Sequence, residues 1–325
     1  MSKLYDVFGI GNPLMDIVVA VNDDFLKKLS ITKGMFNLVD YDRLQHVFGE
    51  ISNMKQEVEA GDSTANTMAG IANLGGVAAY QGCVGSDDYA KLYEEKTINQ
   101  GIRSKIVHVD GHTGVAVALI TPDSERSFAT YLGVACSMKK EYLSPAEIEN
   151  SKYLHLTGYQ LEDPILREMA VAAMKCAKSK GVLVSVDVAD KGVIARNRDF
   201  IKGLLKEYVD IVFANEDESL ALTGEAPDKA VRSMGELSKV ACLKIGKEGS
   251  LIMEGGKVHK IPGYKAKPVD TTGAGDMYAA GVLFGLTQGF DIEKSGKIGS
   301  FSAARIVEVY GARPKFNLKE LIKNI

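Results

Sequence analysis

The second half of the sequence alternates short apolar runs with longer amphipathic segments, and this alternation constrains the fold more than any other feature. Such an order is typical of a parallel sheet that is covered by helices on both faces. Because the crossover connections are right-handed, loops that follow successive strands meet at one edge of the sheet. We therefore predict an α/β fold whose site is built from loops distant in sequence. The predicted strands are 153–156, 182–186, 211–213 and 240–245, and the predicted helices are 164–178, 199–206 and 216–223.

A turn near the C-terminal end of this region opens directly into an apolar helix. Residues 268–276 read Pro-Val-Asp-Thr-Thr-Gly-Ala-Gly-Asp, and an apolar run follows from Met277. A glycine turn at a helix start leaves backbone N–H groups free, and together with the positive helix end these bind an anion. Asp276 would repel a bound phosphate unless it takes a proton from an attacking hydroxyl. We therefore interpret Asp276 as a general base beside an oxyanion hole, the alternative being a residue that only caps the helix.

Composition and charge narrow the choice of partner. The 325 residues carry a formal net charge of -3, so no basic field attracts nucleic acid or a membrane surface, and a small molecule is the expected partner. The cysteines, at 83, 136, 176 and 242, form no C-x-x-C pair, which argues against a zinc or redox motif. No run of eighteen apolar residues occurs. We expect a cytoplasmic enzyme.

The first predicted strand, 7–11, ends at two polar residues. Asn12 and Asp16 follow it at the edge where ligands of open sheets bind, and both can hydrogen-bond vicinal hydroxyls. The alternative is a turn asparagine and a solvated aspartate. A dinucleotide site is disfavoured, because Gly9-x-Gly11 lacks a third glycine and Pro13 precedes strand-like residues.

The stretch 270–276, Asp-Thr-Thr-Gly-Ala-Gly-Asp, closely resembles the C-terminal signature of the ribokinase or PfkB family of small-molecule kinases. The resemblance implies a single ribokinase-like domain over 1–325, with a mostly parallel central sheet and a small β-strand lid built from segments near 13–40 and 112–135. It also implies ATP-dependent phosphorylation of an alcohol. Asp276 would deprotonate the alcohol, while the amides of Gly273, Ala274 and Gly275 would steady the moving phosphoryl group.

The same resemblance assigns the substrate side. The family's Gly-Gly-x-x-x-Asn pattern is matched by Gly61 and Asn66, which would lie against a sugar together with Asn12 and Asp16. Asp62 replaces the second glycine; aspartate tolerates a positive φ, but its carboxylate would crowd or recognise the substrate. Ser63 is expected to cap the helix that follows. Two further expectations concern Arg126, which either touches the transferred phosphate or is an ordinary surface arginine.

The nucleotide side is also assigned by the resemblance. Asn215 and Glu218 fill an Asn-x-x-Glu motif that organises Mg²⁺ and its waters, although the helix dipole alone would explain an acidic first turn. Lys244 is expected either to meet phosphates or to be solvated. A helix is predicted over 292–310, with a loop after it that borders the adenine. The remaining residues assigned to the nucleotide are Gly246, Gly249, Thr271 and Gly311.

The opening of the chain, Phe8-Gly9-x-Gly11-Asn12-Pro13-Leu14-x-Asp16, resembles the adenosine kinases within the family. This similarity implies phosphorylation of the 5′-hydroxyl of adenosine or a related nucleoside, with ATP and Mg²⁺, by a monomer or homodimer. A sugar kinase acting on ribose or fructose is the alternative, because the same loops recognise any polyol. A nucleotide-binding regulator that has lost catalysis, its pocket blocked by Asp62, is a third reading.

Overall fold

The structure, a computed structural model, describes residues 3–123 and 125–325, without the side chain of residue 324. Its strands are β1 (Tyr5–Ile10), β2 (Leu14–Ala20), β3 (Phe36–Leu38), β4 (Glu57–Ala60), β5 (Ala78–Gln81), β6 (Cys83–Val84), β7 (Arg103–Ser104), β8 (Val107–His108), β9 (Gly114–Ile120), β10 (Arg126–Tyr131), β11 (Ser151–Thr157), β12 (Leu183–Asp187), β13 (Ile211–Asn215), β14 (Val240–Lys244), β15 (Gly249–Glu254) and β16 (Lys257–Pro262). Its α-helices are α1 (Asp23–Lys28), α2 (Tyr41–Ile51), α3 (Ser63–Asn73), α4 (Asp88–Asn99), α5 (Pro145–Glu149), α6 (Pro164–Ser179), α7 (Lys191–Tyr208), α8 (Glu216–Thr223), α9 (Pro227–Gly235), α10 (Ala274–Thr287), α11 (Ile292–Ile306) and α12 (Leu318–Leu321).

The main sheet has nine strands in the order β16-β15-β14-β13-β12-β11-β1-β5-β7. Pairing is parallel from β14 through β7, and only the hairpin of β15 and β16 is antiparallel. The predicted α/β fold with a mostly parallel sheet is confirmed. Because the inner strands run the same way, the residues that follow β1, β12, β13 and β14 all lie at one edge of the sheet.

Alternate residues of the central strands face two different hydrophobic cores, as expected for strands covered on both sides. Val7 and Phe213 belong to one core, with α3, α10 and α11. Phe8 and Val212, their neighbours in sequence, belong to the other core, with α6 and α7. The sheet is thus held between two helical layers.

A second sheet has five strands in the order β3-β10-β9-β2-β4. Met15, Ile17 and Val19 of β2 are buried on one face, in the same core as Leu26 of α1 and Val47 of α2. The other face carries Asp16 and Arg126. Its strands β2, β3, β9 and β10 come from the two segments that were expected to form a lid.

Several boundaries differ from the sequence predictions; the helix predicted over 199–206, for example, begins at Lys191 and ends at Tyr208. The second sheet also includes β4, which lies outside the segments 13–40 and 112–135. The sequence did not predict this strand, because Glu-Val-Glu-Ala is short and half charged and gives only a weak strand signal. The helix predicted over 292–310 ends at Ile306. The C-terminal part of that segment instead forms a turn. The Val307 carbonyl accepts from the amides of Val269 and Asp270, and the Gly311 amide just after the segment donates to the Asp270 carboxylate. No helix of the described residues is both long and apolar enough to cross a membrane.

Candidate active site

The N-terminus of α10 has the backbone geometry of a site that can bind an anion, and we call this position the anion site. Gly273 caps the helix with φ of 77°, and a Cβ at this position would lie 2.7 Å from Ala312, so only glycine fits both the backbone and the space. The Ala274 amide donates to the Thr271 carbonyl at 3.2 Å, which removes Ala274 from the predicted set of free donors. In the described chain, the amides of Gly273 and Gly275 have no such acceptor. Two predicted amides therefore remain available to an anion.

Asp276 lies in the first turn of α10, directly beside those amides. Its Oδ1 accepts from the Ser63 hydroxyl at 2.5 Å, and its Oδ2 accepts from Nδ2 of Asn66 at 2.9 Å. Desolvation raises its pKa to about 6, against the lowering effect of these two donors. The carboxylate is thus held by α3 and still loses its proton near neutral pH.

Asp62, not Ser63, is the N-cap of α3, which corrects the prediction. Its φ is 86°, a value that aspartate adopts more readily than most residues. Its carboxylate accepts from the amides of Asn12 at 3.1 Å and Ala65 at 3.0 Å, and from the hydroxyl of Tyr80 at 2.8 Å. Burial raises the pKa of Asp62. The carboxylate that we expected to crowd or recognise a substrate is therefore bonded within the protein.

Asp16 projects from β2 against the loop before α3. A Cβ added to Gly61 would lie 2.5 Å from Oδ2 of Asp16, so the match of Gly61 to the family glycine has a steric reason. Desolvation raises the pKa of Asp16 to about 7, although Arg313 lowers it. The side-chain oxygen of Asn12 is buried and has no hydrogen-bond partner in the part of the chain described.

Arg126 of β10 connects the second sheet to the loop before α10. Its Nη2 donates to Oδ2 of Asp270 at 2.5 Å, and its Nη1 donates to the Thr272 hydroxyl at 2.7 Å. Asp270 also accepts from the amides of Thr272 and Gly311, and these donors hold its pKa low despite burial. Arg126 thus lies next to the anion site, paired with Asp270.

Lys244 lies at the end of β14 on the other side of the anion site. It forms an ion pair with Asp187 at 2.6 Å, and its Nζ is 3.0 Å from the position of a Cβ at Gly275. The side chain is mostly buried, so the solvated alternative is wrong. The charge of Asp187 helps to raise the pKa of Lys244, and the ammonium remains charged beside Gly275.

Asn215 and Glu218 form a reciprocal cap at the start of α8. The Glu218 carboxylate accepts from the Asn215 amide and from its Nδ2, both at 2.7 Å, and Asn215 Oδ1 accepts from the Glu218 amide. Desolvation raises the pKa of Glu218. No group of three or more His, Cys, Asp or Glu residues in the described chain is arranged to hold a metal ion. A cation here would keep most of its ligands as water or phosphate oxygens.

The other residues assigned to the nucleotide lie around this edge with different environments. Gly311 donates its amide to Asp270 at 2.9 Å, and Thr271 is exposed in the loop before α10. Gly246 is exposed in the turn after β14, with φ of 55°. Gly249 is buried, and a Cβ there would lie 2.1 Å from the Ile261 carbonyl, so packing of the β15–β16 hairpin already requires this glycine.

Sequence reasoning missed the role of Arg313 and of the Ser63 hydroxyl. Arg313 is buried and donates Nε to Oδ1 of Asn66 at 3.0 Å and Nη2 to the Gly61 carbonyl at 3.0 Å. Nothing in the local sequence separates this arginine from a surface one. Ser63 could have been found, since it lies three positions before Asn66 and so shares its face of α3.

Comparisons with known proteins identify the family of the chain and match its fold. The model of the pfkB family carbohydrate kinases matches residues 34–318. A probable sugar kinase from Rhizobium etli superposes with a TM-score of 0.90 at 31% identity, over 99% of this chain and 98% of the other. An adenosine kinase from Sinorhizobium meliloti gives 0.89 at 33% identity, over 98% of each chain. A 5-dehydro-2-deoxygluconokinase from Bacillus subtilis is 27% identical over all of this chain and 96% of its own length.

Proposed function

The chain belongs to the pfkB family of carbohydrate kinases, and within it we propose a nucleoside kinase that phosphorylates the 5′-hydroxyl of adenosine or a related nucleoside. Membership makes the chain a phosphotransferase with an alcohol as acceptor. The relatives include enzymes named for adenosine and for sugars, so the acceptor has to be argued from the site.

The observation that carries the proposal is an apolar wall at the β3 edge of the second sheet, on the face that carries Arg126. Phe36 and Leu38 are 57% and 64% exposed on β3, and Phe36 lies 6.0 Å from the Phe128 ring between ring centroids. Phe128 is two residues from Arg126 on β10, so their side chains share one face of the sheet. Since Arg126 reaches the loop before α10, this face looks toward the anion site. A flat heteroaromatic base can pack against an aromatic and aliphatic surface, whereas a free sugar has little apolar surface to pack against such a wall.

Polar groups next to this wall suit a ribose. Asp16 lies on the same face as Phe128, because it pairs through Ala116 with Thr130, two residues along β10. The Asn12 side-chain oxygen, buried without a partner in the described chain, can accept from a hydroxyl of a bound molecule. We propose that Asn12, Asp16 and Gly61 hold the ribose while the base rests on the wall.

The donor side fits a triphosphate. The amides of Gly273 and Gly275, the Lys244 ammonium and the α10 N-terminus together present positive charge at one point, which is what a phosphate chain requires. ATP, when bound with Mg²⁺, supplies the phosphoryl group that is transferred. We propose that Asn215 and Glu218 help to hold the hydrated Mg²⁺, and that Gly246, Thr271 and Gly311 border the nucleotide.

In this proposal Asp276 takes the proton of the 5′-hydroxyl as the oxygen attacks. The carboxylate is the acceptor, and Ser63 and Asn66 keep it aimed at the hydroxyl. The amides of Gly273 and Gly275 stabilise the charge on the transferred group, with Lys244 close behind them. Arg126, on the opposite sheet, closes the site and excludes water.

A sugar kinase remains the second candidate, because Asn12 and Asp16 would bind hydroxyls of any polyol, and the B. subtilis relative is named for a sugar acid. Release of ADP from ATP and Mg²⁺ separates the two when it is measured with adenosine, other nucleosides, ribose, fructose and 5-dehydro-2-deoxygluconate. We expect the highest kcat/KM with a nucleoside. Turnover confined to the sugars would overturn the proposed acceptor.

A variant pair tests the apolar wall itself. Phe128→Ala should raise KM for the nucleoside about tenfold or more, because an aromatic contact to the base is lost, with a smaller effect on kcat. Phe290→Ala is the matched control, since this phenylalanine lies beyond the far end of α10, about 20 Å from the helix start. Equal KM values in the two variants would contradict the assigned wall.

A further inference from the structure

Arg313 links the loop after α11 to the substrate loop through three donated hydrogen bonds. Its Nε and Nη2 reach Oδ1 of Asn66 and the carbonyl of Gly61, and its Nη1 reaches Oε1 of Gln100 at 2.8 Å. The guanidinium is planar and only donates, so it fits these three acceptors at fixed angles. The side chain is buried, which makes each bond costly to lose.

The contact with Asn66 has a directional consequence for Asp276. An amide side chain carries an acceptor on one side and a donor on the other. Because Arg313 can only donate, it requires Oδ1 of Asn66 on its own side, which leaves Nδ2 on the side of Asp276. We propose that Arg313 is a positioning residue that fixes the Asn66 amide so that it donates to the catalytic carboxylate. This inference rests on the proposed function, because it takes Asp276 as the base.

The loop that carries Arg313 also contacts the anion site. One short segment therefore contacts both the loop before α10 and the side chain that holds Asp276. Gly311 donates to Asp270, and Ala312 packs against Gly273. The next residue, Arg313, extends to Asn66. A change in this loop would therefore alter the position of Asn66, and with it the Asp276 carboxylate, relative to the anion site.

Other charged or titratable groups also face Asp276 and influence its pKa, so the effect of Arg313 is added to theirs. Asp187 raises and Lys244 lowers the pKa of Asp276, and Tyr159 also lies within its field. None of these bonds to the Asn66 amide in the described structure. Loss of the Asn66 donor raises the pKa of Asp276 while these neighbours stay in place, since a hydrogen bond to the charged form stabilises it.

The test is the titration of Asp276 in Arg313→Gln, with Arg232→Gln on the exposed side of α9 as the matched control. Protein labelled with ¹³C at the aspartate carboxyls is titrated by NMR, and Asp276→Asn identifies the resonance. We expect the pKa of Asp276 to rise by about half a unit or more in Arg313→Gln and to be unchanged in Arg232→Gln. Arg313→Lys keeps the charge but not the planar set of donors, so the pKa of Asp276 should rise in this variant too, but by less than in Arg313→Gln.

Kinetics supply the second readout. With the best acceptor, kcat of Arg313→Gln should fall about ten- to a hundredfold, and its acidic limb should move to higher pH. In an Asn66→Ala background, Arg313→Lys should have no further effect on the pKa of Asp276, because the Asn66 amide through which Arg313 acts is absent. Where Arg313→Gln does not fold, the comparison of Arg313→Lys with and without Asn66→Ala decides the question.

An Asp276 pKa that stays at the wild-type value in both Arg313 variants would overturn the inference. The same holds if Arg313→Lys shifts it equally with and without Asn66. A wild-type protein that phosphorylates no nucleoside would overturn the proposed function instead, and the carboxyl titration would still decide the role of Arg313, because it needs no substrate.

Discussion

The hydroxyl of Ser63 donates to Oδ1 of Asp276 at 2.5 Å, so two residues that are 213 positions apart share one proton-accepting site. Ser63 begins α3 and Asp276 lies in the first turn of α10. The two helices pack closely where Gly70 meets Ala280, which brings their N-termini together. Asp276, which we propose as the base, therefore lies where the starts of two helices meet, and its carboxylate is held by side chains of α3.

The pH dependence of turnover should follow the ionisation of Asp276. The proposed base acts as the carboxylate, and burial raises its pKa to about 6, so kcat/KM is lost as the pH falls through this value and is retained above it. A pH profile of kcat/KM for the acceptor measures the limb, because this ratio reports the ionisation of the free enzyme. A limb near pH 4, the ordinary range of an aspartate, would contradict the raised pKa of Asp276.

Ser63→Ala should move that limb to higher pH. The hydroxyl lowers the pKa of Asp276 by stabilising the charged form, so its removal raises the pKa and leaves less carboxylate at pH 7. We expect kcat/KM at pH 6.5 to fall about threefold to tenfold, with a smaller loss at pH 8.5. Ser63→Thr keeps the hydroxyl and serves as the control. Equal profiles for the Ala and Thr variants would remove Ser63 from the site.

Asp62→Gly should destabilise the protein rather than open the pocket. Glycine suits the φ of 86°, but the cap on α3 and the acceptor for the buried Tyr80 hydroxyl are both lost. We expect the free energy of unfolding to fall by about 1–3 kcal/mol. Asp62→Asn keeps one acceptor and should lose less. Urea unfolding measures both, and a Gly variant that is as stable and more active would restore the idea that the carboxylate crowds the substrate.

Arg126→Gln should uncouple the second sheet from the loop before α10. The variant removes an ion pair to the buried Asp270 and the bond to Thr272. We expect kcat to fall at least about tenfold, because the site closes less completely on the reacting groups. Lys33→Gln is the control, since this lysine makes two exposed ion pairs at the rim of the same sheet. Similar losses in both variants would point to a general weakening of the sheet.

Sequence reasoning predicted the structural features that follow from local pattern. The turn into α10, with Gly273 and Asp276, has a backbone and charge signature that can be read within nine residues. The strand and helix alternation likewise predicted the main sheet. These features depend on residues that are close together in the chain, so local sequence patterns predict them.

The residues that were missed or misread depend on partners far away in the chain. Arg313 acquires its role from Asn66 and Gly61, and Lys244 from Asp187, contacts that no local pattern states. Asp62 was interpreted as a substrate contact because it stands at a family glycine, and two of its bonding partners, Asn12 and Tyr80, come from other segments. The exception is Ala274, which was counted as a free donor although its amide bonds to the nearby Thr271 carbonyl.

The most direct test of the proposed chemistry is ADP release by Asp276→Asn, compared with wild type under saturating MgATP and the preferred nucleoside. Asparagine keeps the shape of the side chain but cannot take the proton, so we expect kcat to fall about a hundredfold or more while the affinity for ATP stays within about twofold. A variant that keeps more than about a tenth of wild-type kcat would contradict the role of Asp276 as the general base.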